Sequence, residues 1–253
     1  MAKFLPGRSI YNFSFVGCSL ERPYLLHAAR LLNPKSPNRS LVIGISPHCF
    51  MPRTKVNLNQ GYLHWSAQRP ASRQALLAEI RRDNWTGLAQ ARFFVKNLLC
   101  LVKRQPLGCY FLDGWEASVP LRKQKEGYVQ WMQKVYQKQP VDLAILDGLF
   151  HMIGELQQAG ITVYGFRSPG DKEMRRVENQ KSGVDFDEVP GRFQTSGGVW
   201  LKVDETSFPT YDGVHMGWRS AIRFSRHLAE VLFETEQRLM ANHERPHRLV
   251  QTV

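Results

Sequence analysis

The chain has 253 residues, 43% of them hydrophobic and 22% charged, with 14 prolines and 19 glycines. That is the composition of a globular protein long enough for one large domain, and it excludes a low-complexity chain. No apolar run reaches the roughly 18 residues of a membrane span, the opening Met-Ala-Lys-Phe-Leu-Pro-Gly-Arg has no apolar signal core, and the net charge of +12 favours anionic partners.

In chain order, residues 9–16 (Ser-Ile-Tyr-Asn-Phe-Ser-Phe-Val) read as a strand ending at Gly17. The spacing of Leu25, Leu26, Ala28, Ala29 and Leu32 predicts a helix over 21–32, stopped by Asn33-Pro34. Residues 41–46 form a short apolar run of the kind buried in a parallel sheet, closed by Pro47. Strand, helix and strand with short connections make a βαβ unit.

Residues 51–140 break this alternation and read as a mainly helical insertion, with helices over about 72–103 and 123–138. They hold fifteen Lys/Arg against five Asp/Glu, so most of the positive excess is here. The arginines interleave with Trp65, Trp85, Phe93 and Phe94, but no nucleic-acid-binding motif accompanies them and a nucleic-acid partner is not expected. Such charge marks either a plain solvated helical face or a surface for phosphates, acidic polysaccharides or anionic lipid headgroups, and a glycan or other anionic polymer is the partner expected if it binds. As a cap over the sheet, the insertion is also where substrate selection is expected.

Alternation resumes after residue 140. Leu143, Leu146, Phe150, Ile153 and Leu156 suit a helix ending near Gly160, and Ile161–Phe166 suits a strand. Asp113-Gly114 reads as a turn and Asp147-Gly148 as an element boundary. Asp171, Glu173 and Glu178 come after Ser168-Pro169-Gly170 and read as the acidic start of a helix. Gly197-Gly198 reads as a turn before a strand over 199–203. The last helix runs from Trp218, with Ala221, Ile222, Ser225, Leu228, Ala229, Leu232 and Phe233 on its inner face. Residues 242–253 form a polar tail. The pattern predicts one α/β domain over 1–241, a three-layer sandwich with a mostly parallel, flavodoxin-like sheet.

Among candidate chemistry, four cysteines (Cys18, Cys49, Cys100, Cys109) form no C-x-x-C pair, and no metal constellation or phosphate loop is visible. A Cys100–Cys109 bridge stays open, depending on compartment. No cofactor is expected. His48 and His64 are candidate acid–base groups, whereas His151 reads as a helix-surface histidine. The strongest signal is Asp212-Gly213-Val214-His215 at the mouth of the last helix. An Asp can hold an imidazole in one tautomer and stabilise its protonated form, which lets the imidazole act as base for a hydroxyl nucleophile. In parallel-sheet folds such groups sit at the carboxyl ends of strands, where Gly17–Leu20, Ser46–His48 and Asp212–His215 all fall.

Three segments resemble blocks of the SGNH/GDSL hydrolase superfamily, most closely its bacterial branch linked to polysaccharide O-acetylation. Asp212-Gly-Val-His215 is similar to the Asp-x-x-His block. Tyr-Asn-Phe-Ser-Phe-Val-Gly-Cys-Ser is similar to the second block, and Leu-Val-Ile-Gly-Ile-Ser-Pro-His stands where the third would be, with Ser46-Pro47-His48 in place of the usual Asn. The likeness covers about 1–50 and 140–240. It implies an ester hydrolase or O-acyltransferase acting on an acyl ester, including carbohydrate esters, in the bacterial cell envelope. His215 would be the base and Asp212 its orienting partner, with Gly17, Ser46 and His48 at the oxyanion and substrate. Two alignments remain open for the nucleophile. In one, Gly17-Cys18-Ser19-Leu20 is the nucleophile turn and Ser19 attacks. In the other, that segment is the second block, the nucleophile lies upstream of Met1, and the chain alone is an inactive domain that binds through its basic insertion.

Overall fold

The computed structural model describes residues 5, 7–10, 19–51, 87–103, 107–110, 116–119 and 125–244. In chain order the elements are α1 (Arg22–Arg30), β1 (Ser40–Ile45), a 3-10 turn (Pro47–Phe50), α2 (Gly87–Val102), β2 (Leu107–Tyr110), β3 (Glu116–Val119), α3 (Lys125–Lys138), α4 (Leu143–Gln158), β4 (Thr162–Arg167), α5 (Lys172–Lys181), α6 (Val189–Thr195), β5 (Val199–Trp200) and α7 (Trp218–Glu244). Most of the strand expected over 9–16, with Gly17, Cys18, His64, Trp65, Trp85 and Asp113-Gly114, lies outside the described residues, as does the Cys109 side chain.

The fold is α/β, with a parallel sheet ordered β1-β4-β5. β1 and β4 pair in register from Ser40–Thr162 to Ile45–Arg167, so both strands end at one rim. Their runs are apolar because both sheet faces are covered. Ile43, Ile45 and Val163 enter one cluster with Leu25 of α1 and Leu146, Leu149, Phe150 and Ile153 of α4. Tyr164 and Phe166 enter a second cluster with Phe224, Leu228 and Leu232 of α7. Each of the larger side chains contributes about 1.5–3 kcal/mol by leaving water. Gly165 keeps the sheet open to Phe193 of α6, because a Cβ there would lie 2.5 Å from the Phe193 ring.

Three expectations need correction, and one feature was not expected: helices α2 and α3 make up most of the described part of 51–140, but β2 and β3 also pair there as an antiparallel hairpin. Four-residue strands around Gly108 are too short to show a period of two. Asp147-Gly148 bounds nothing, because both lie inside α4, whose start is set by Asp142 accepting the Ala144 N–H at 2.9 Å. The buried stripe of α4 outweighs the roughly 1 kcal/mol that a helical glycine costs. The strand expected over 199–203 pairs only at Val199–Trp200, although Leu201 N–H still reaches Gly165 O at 2.7 Å. Finally, α7 is rotated from its expected orientation. Trp218, Ile222 and Phe233 are exposed while Phe224 is buried, its ring 5.6 Å from Phe166 and 5.2 Å from Phe208. Burying that large ring against two aromatics sets the rotation. Among the described residues, no helix is long and apolar enough to cross a membrane.

Candidate acid–base site at the carboxyl rim of the sheet

The rim is built by the segments into which β1 and β4 lead. Ser168 N–H donates to Ile45 O at 3.0 Å, which keeps the two chains together past the last paired residues. Beyond it, the Asp171 carboxylate accepts the Met174 N–H at 2.8 Å and caps α5, as the acidic start predicts. The Asp171 N–H donates to Gly213 O at 2.9 Å, fastening the Asp212–His215 loop to the end of β4. Tyr211 N–H donates to His215 O at 2.9 Å and closes that loop. Gly213 has φ +107°, a left-handed value that other residues reach only with strain, and a Cβ there would stand 3.2 Å from Val129.

Inside the loop the Asp212 carboxylate is buried and fully engaged. Oδ1 accepts the His215 N–H at 2.8 Å and the Val214 N–H at 3.2 Å, and Oδ2 lies 2.7 Å from His215 Nδ1. Burial works to raise the Asp212 pKa, but the hydrogen bond and charge of His215 and the two backbone donors hold it below the usual carboxylate value. An ionised carboxylate only accepts, so Nδ1 carries the proton, and in the neutral imidazole the lone pair is then on Nε2. The His215 side chain is 55% exposed, leaving the ring open to a reactant. Tyr211 stacks on the ring at 6.0 Å and Tyr128 of α3 meets it edge-on at 5.4 Å. Val129, Met132 and Tyr136 of α3 pack on Met174 and Val177 of α5, and that packing brings Tyr128 in.

Ser46 and His48 occupy the neighbouring rim position, after β1. The buried Ser46 Oγ lies 3.1 Å from His48 Nδ1, 3.4 Å from Nε2 and 3.5 Å from Cys49 Sγ. Desolvation by the surrounding chain, then the charge of His215, lower the His48 pKa to about 4. His48 is nevertheless an exposed residue, and its contact with water weakens the first effect without changing its sign. The two imidazoles thus differ in kind: His215 has a carboxylate partner, and His48 is held neutral. Burial also pushes up the Cys49 thiol, so it is not a thiolate nucleophile at neutral pH.

Ser19 sits beneath this rim. Leu20 N–H donates to Cys49 O at 2.9 Å, tying the segment to the 3-10 turn. Ser19 is 1% exposed, and among the described residues its Oγ has no hydrogen-bond partner. The hydrogen bond between Ser19 and His215 that nucleophile activation requires is therefore not formed in this structure. His151 lies on the α4 surface, 3.2 Å from Glu155, away from the rim.

Two groups escaped the sequence reading. Tyr128 and Tyr211 frame His215; Tyr211 adjoins Asp212 in the chain, whereas nothing local marks Tyr128. Behind the rim lies a buried ion cluster. Arg167 Nη2 pairs with Glu178 at 3.1 Å, and Arg175 Nη2 pairs with Glu205 at 3.0 Å and donates to Ser168 O at 2.6 Å. Glu178 therefore does not serve the acidic start of α5 but is buried in its body. Burial raises its pKa, opposed by Arg175 and Arg167. Among the described residues, no group of three His, Cys, Asp or Glu is placed to hold a metal ion. No family model, curated protein or solved structure matches the chain.

Proposed function

We propose that the chain is an SGNH-like ester hydrolase or O-acyltransferase domain, a three-layer sandwich in which Asp212 and His215 form the acid–base pair. The observation that carries this reading is the Asp212 Oδ2–His215 Nδ1 contact of 2.7 Å, made while Oδ1 is occupied by backbone donors. It fixes the tautomer and leaves Nε2 as base on an open ring. A serine hydroxyl, Ser19 being the candidate, adds to the ester carbonyl as Nε2 takes its proton. The imidazolium, stabilised by Asp212, then protonates the departing alkoxide, leaving an acyl-serine. Water or an acceptor hydroxyl reverses these steps, giving hydrolysis or transfer. The Gly17 N–H, Ser46 and His48 are the candidate groups for the substrate oxygens. The substrate class is an acyl ester, carbohydrate esters included.

The experiment is labelling with a fluorophosphonate, followed by peptide mass spectrometry. The account expects one serine adduct, on Ser19, lost in Ser19→Ala and in His215→Ala. An adduct that persists in Ser19→Ala assigns the hydroxyl elsewhere, and no adduct at all removes the enzyme reading.

A second reading is favoured by one observation, the burial of Ser19 with no hydrogen bond from its Oγ to His215. In it the domain is catalytically silent and holds an acidic glycan or other anionic polymer through its basic insertion. It predicts binding that falls steeply with salt, is unchanged in His215→Ala, and comes with no fluorophosphonate adduct.

A further inference from the structure

Helix α2 presents its apolar side chains to solvent. Phe94, Val95, Leu98, Leu99, Leu101 and Val102 are each more than half exposed, Val102 reaching 76%. At 3.6 residues per turn these six positions share one arc of roughly 160°. Lys96 and Lys103 are exposed along one border of that arc, while Asn97 and Cys100, on the opposite side, are partly buried. A helix packed on a soluble core has the reverse arrangement, with its apolar stripe inward. An exposed apolar surface of this extent marks a binding face.

Charge decides what covers it. Residues 84–112 contain no Asp or Glu and four cations, Arg92, Lys96, Lys103 and Arg104. A second copy of the chain docked through this face would bring like charges together. A bilayer span is excluded for this helix by its length: 16 residues reach about 24 Å, short of the roughly 30 Å hydrocarbon core. An anionic lipid surface satisfies both features at once. The apolar arc enters the boundary between headgroups and acyl chains while lysines at its border reach the phosphates.

We infer that α2 is an interfacial anchor that lays its Phe94–Val102 face on an anionic lipid bilayer. The anchor is independent of the acid–base reading and stands without it. Full-length protein is co-sedimented with vesicles of phosphatidylcholine alone and of phosphatidylcholine with added phosphatidylglycerol. Wild type should bind the anionic vesicles at least about tenfold more tightly, the expectation for two lysines near an anionic surface, and added salt should weaken that binding. Leu98→Glu/Val102→Glu removes the apolar arc, and Lys96→Glu/Lys103→Glu keeps the arc but reverses its border. Each pair should cost about tenfold or more in binding with an unchanged circular dichroism melt. Absence of wild-type sedimentation with either vesicle overturns the inference, as does unchanged binding in the arc variant. Unfolding of the arc variant would make the face interior. A wild-type dimer that the arc variant converts to monomer would make it a contact between copies. Either result also overturns the anchor.

Discussion

The sheet rim and helix α2 place opposite demands on their side chains. At the rim, Asp212 spends both carboxylate oxygens on partners within four residues of chain, and the loop that carries it is tied to Asp171. Along α2, six large apolar side chains face outward. The contrast separates two kinds of function. A group whose partners are internal is held in one geometry and one protonation state, as acid–base chemistry requires. An apolar face exposed to solvent is suited to a partner from outside the chain.

Substitutions can break this contrast, and the largest effect belongs to the pair itself. Asp212→Asn keeps the shape of the loop but lets Nδ1 lose its proton, and esterase turnover should fall about 10⁴-fold, by analogy with other triad aspartates. Next comes the ion cluster. Glu178→Ala leaves the buried Arg167 and Arg175 to share Glu205, the carboxylate 3.0 Å from Arg175 and 3.9 Å from Arg167, and should cost about 3 kcal/mol in urea unfolding. Gly213→Ala forces a left-handed backbone on a side chain and presses it towards Val129. It should lower stability by about 1–2 kcal/mol.

Smaller still is a pH effect at His48. Its folded pKa of about 4 lies below the unfolded value of 6.5, so between those values the unfolded chain binds more protons. Its contribution to stability is therefore present above the unfolded value and is lost as pH falls from about 6.5 to about 4. Thermal melts of wild type and His48→Gln across that window should diverge, with the variant the less sensitive to acid. The smallest effect is expected at α2, where Val102→Ser should change unfolding free energy by no more than about 0.5 kcal/mol. A change of several kcal/mol there would place the helix inside a core.

Much of this architecture was legible in the residues, for identifiable reasons. Leu41–Ile45 and Thr162–Phe166 read as strands because both of their faces are buried, which leaves an unbroken apolar run. The Asp212–His215 pair was legible because its geometry is local: three residues and a positive-φ glycine place the carboxylate on the ring. Asp171 was readable as the acidic start of a helix for the same reason. The features that escaped depend on long-range packing. Tyr128 reaches His215 only because α3 docks on α5. The Arg167 and Glu178 charges meet because the chain turns back between the end of β4 and the body of α5. The rotation of α7 comes from the Phe208 and Phe166 rings, which no helical period of its own encodes. The hairpin β2–β3 was missed because four residues carry too little pattern.

The central claim is that His215, held by Asp212, is the base of an ester-processing site. Its most direct test is hydrolysis of an activated acetyl ester by wild type and His215→Ala, with melting curves confirming that both are folded. The account predicts a rate at least about 10³-fold lower in the variant, the order found when a triad base is removed. Equal rates in two folded proteins would contradict it.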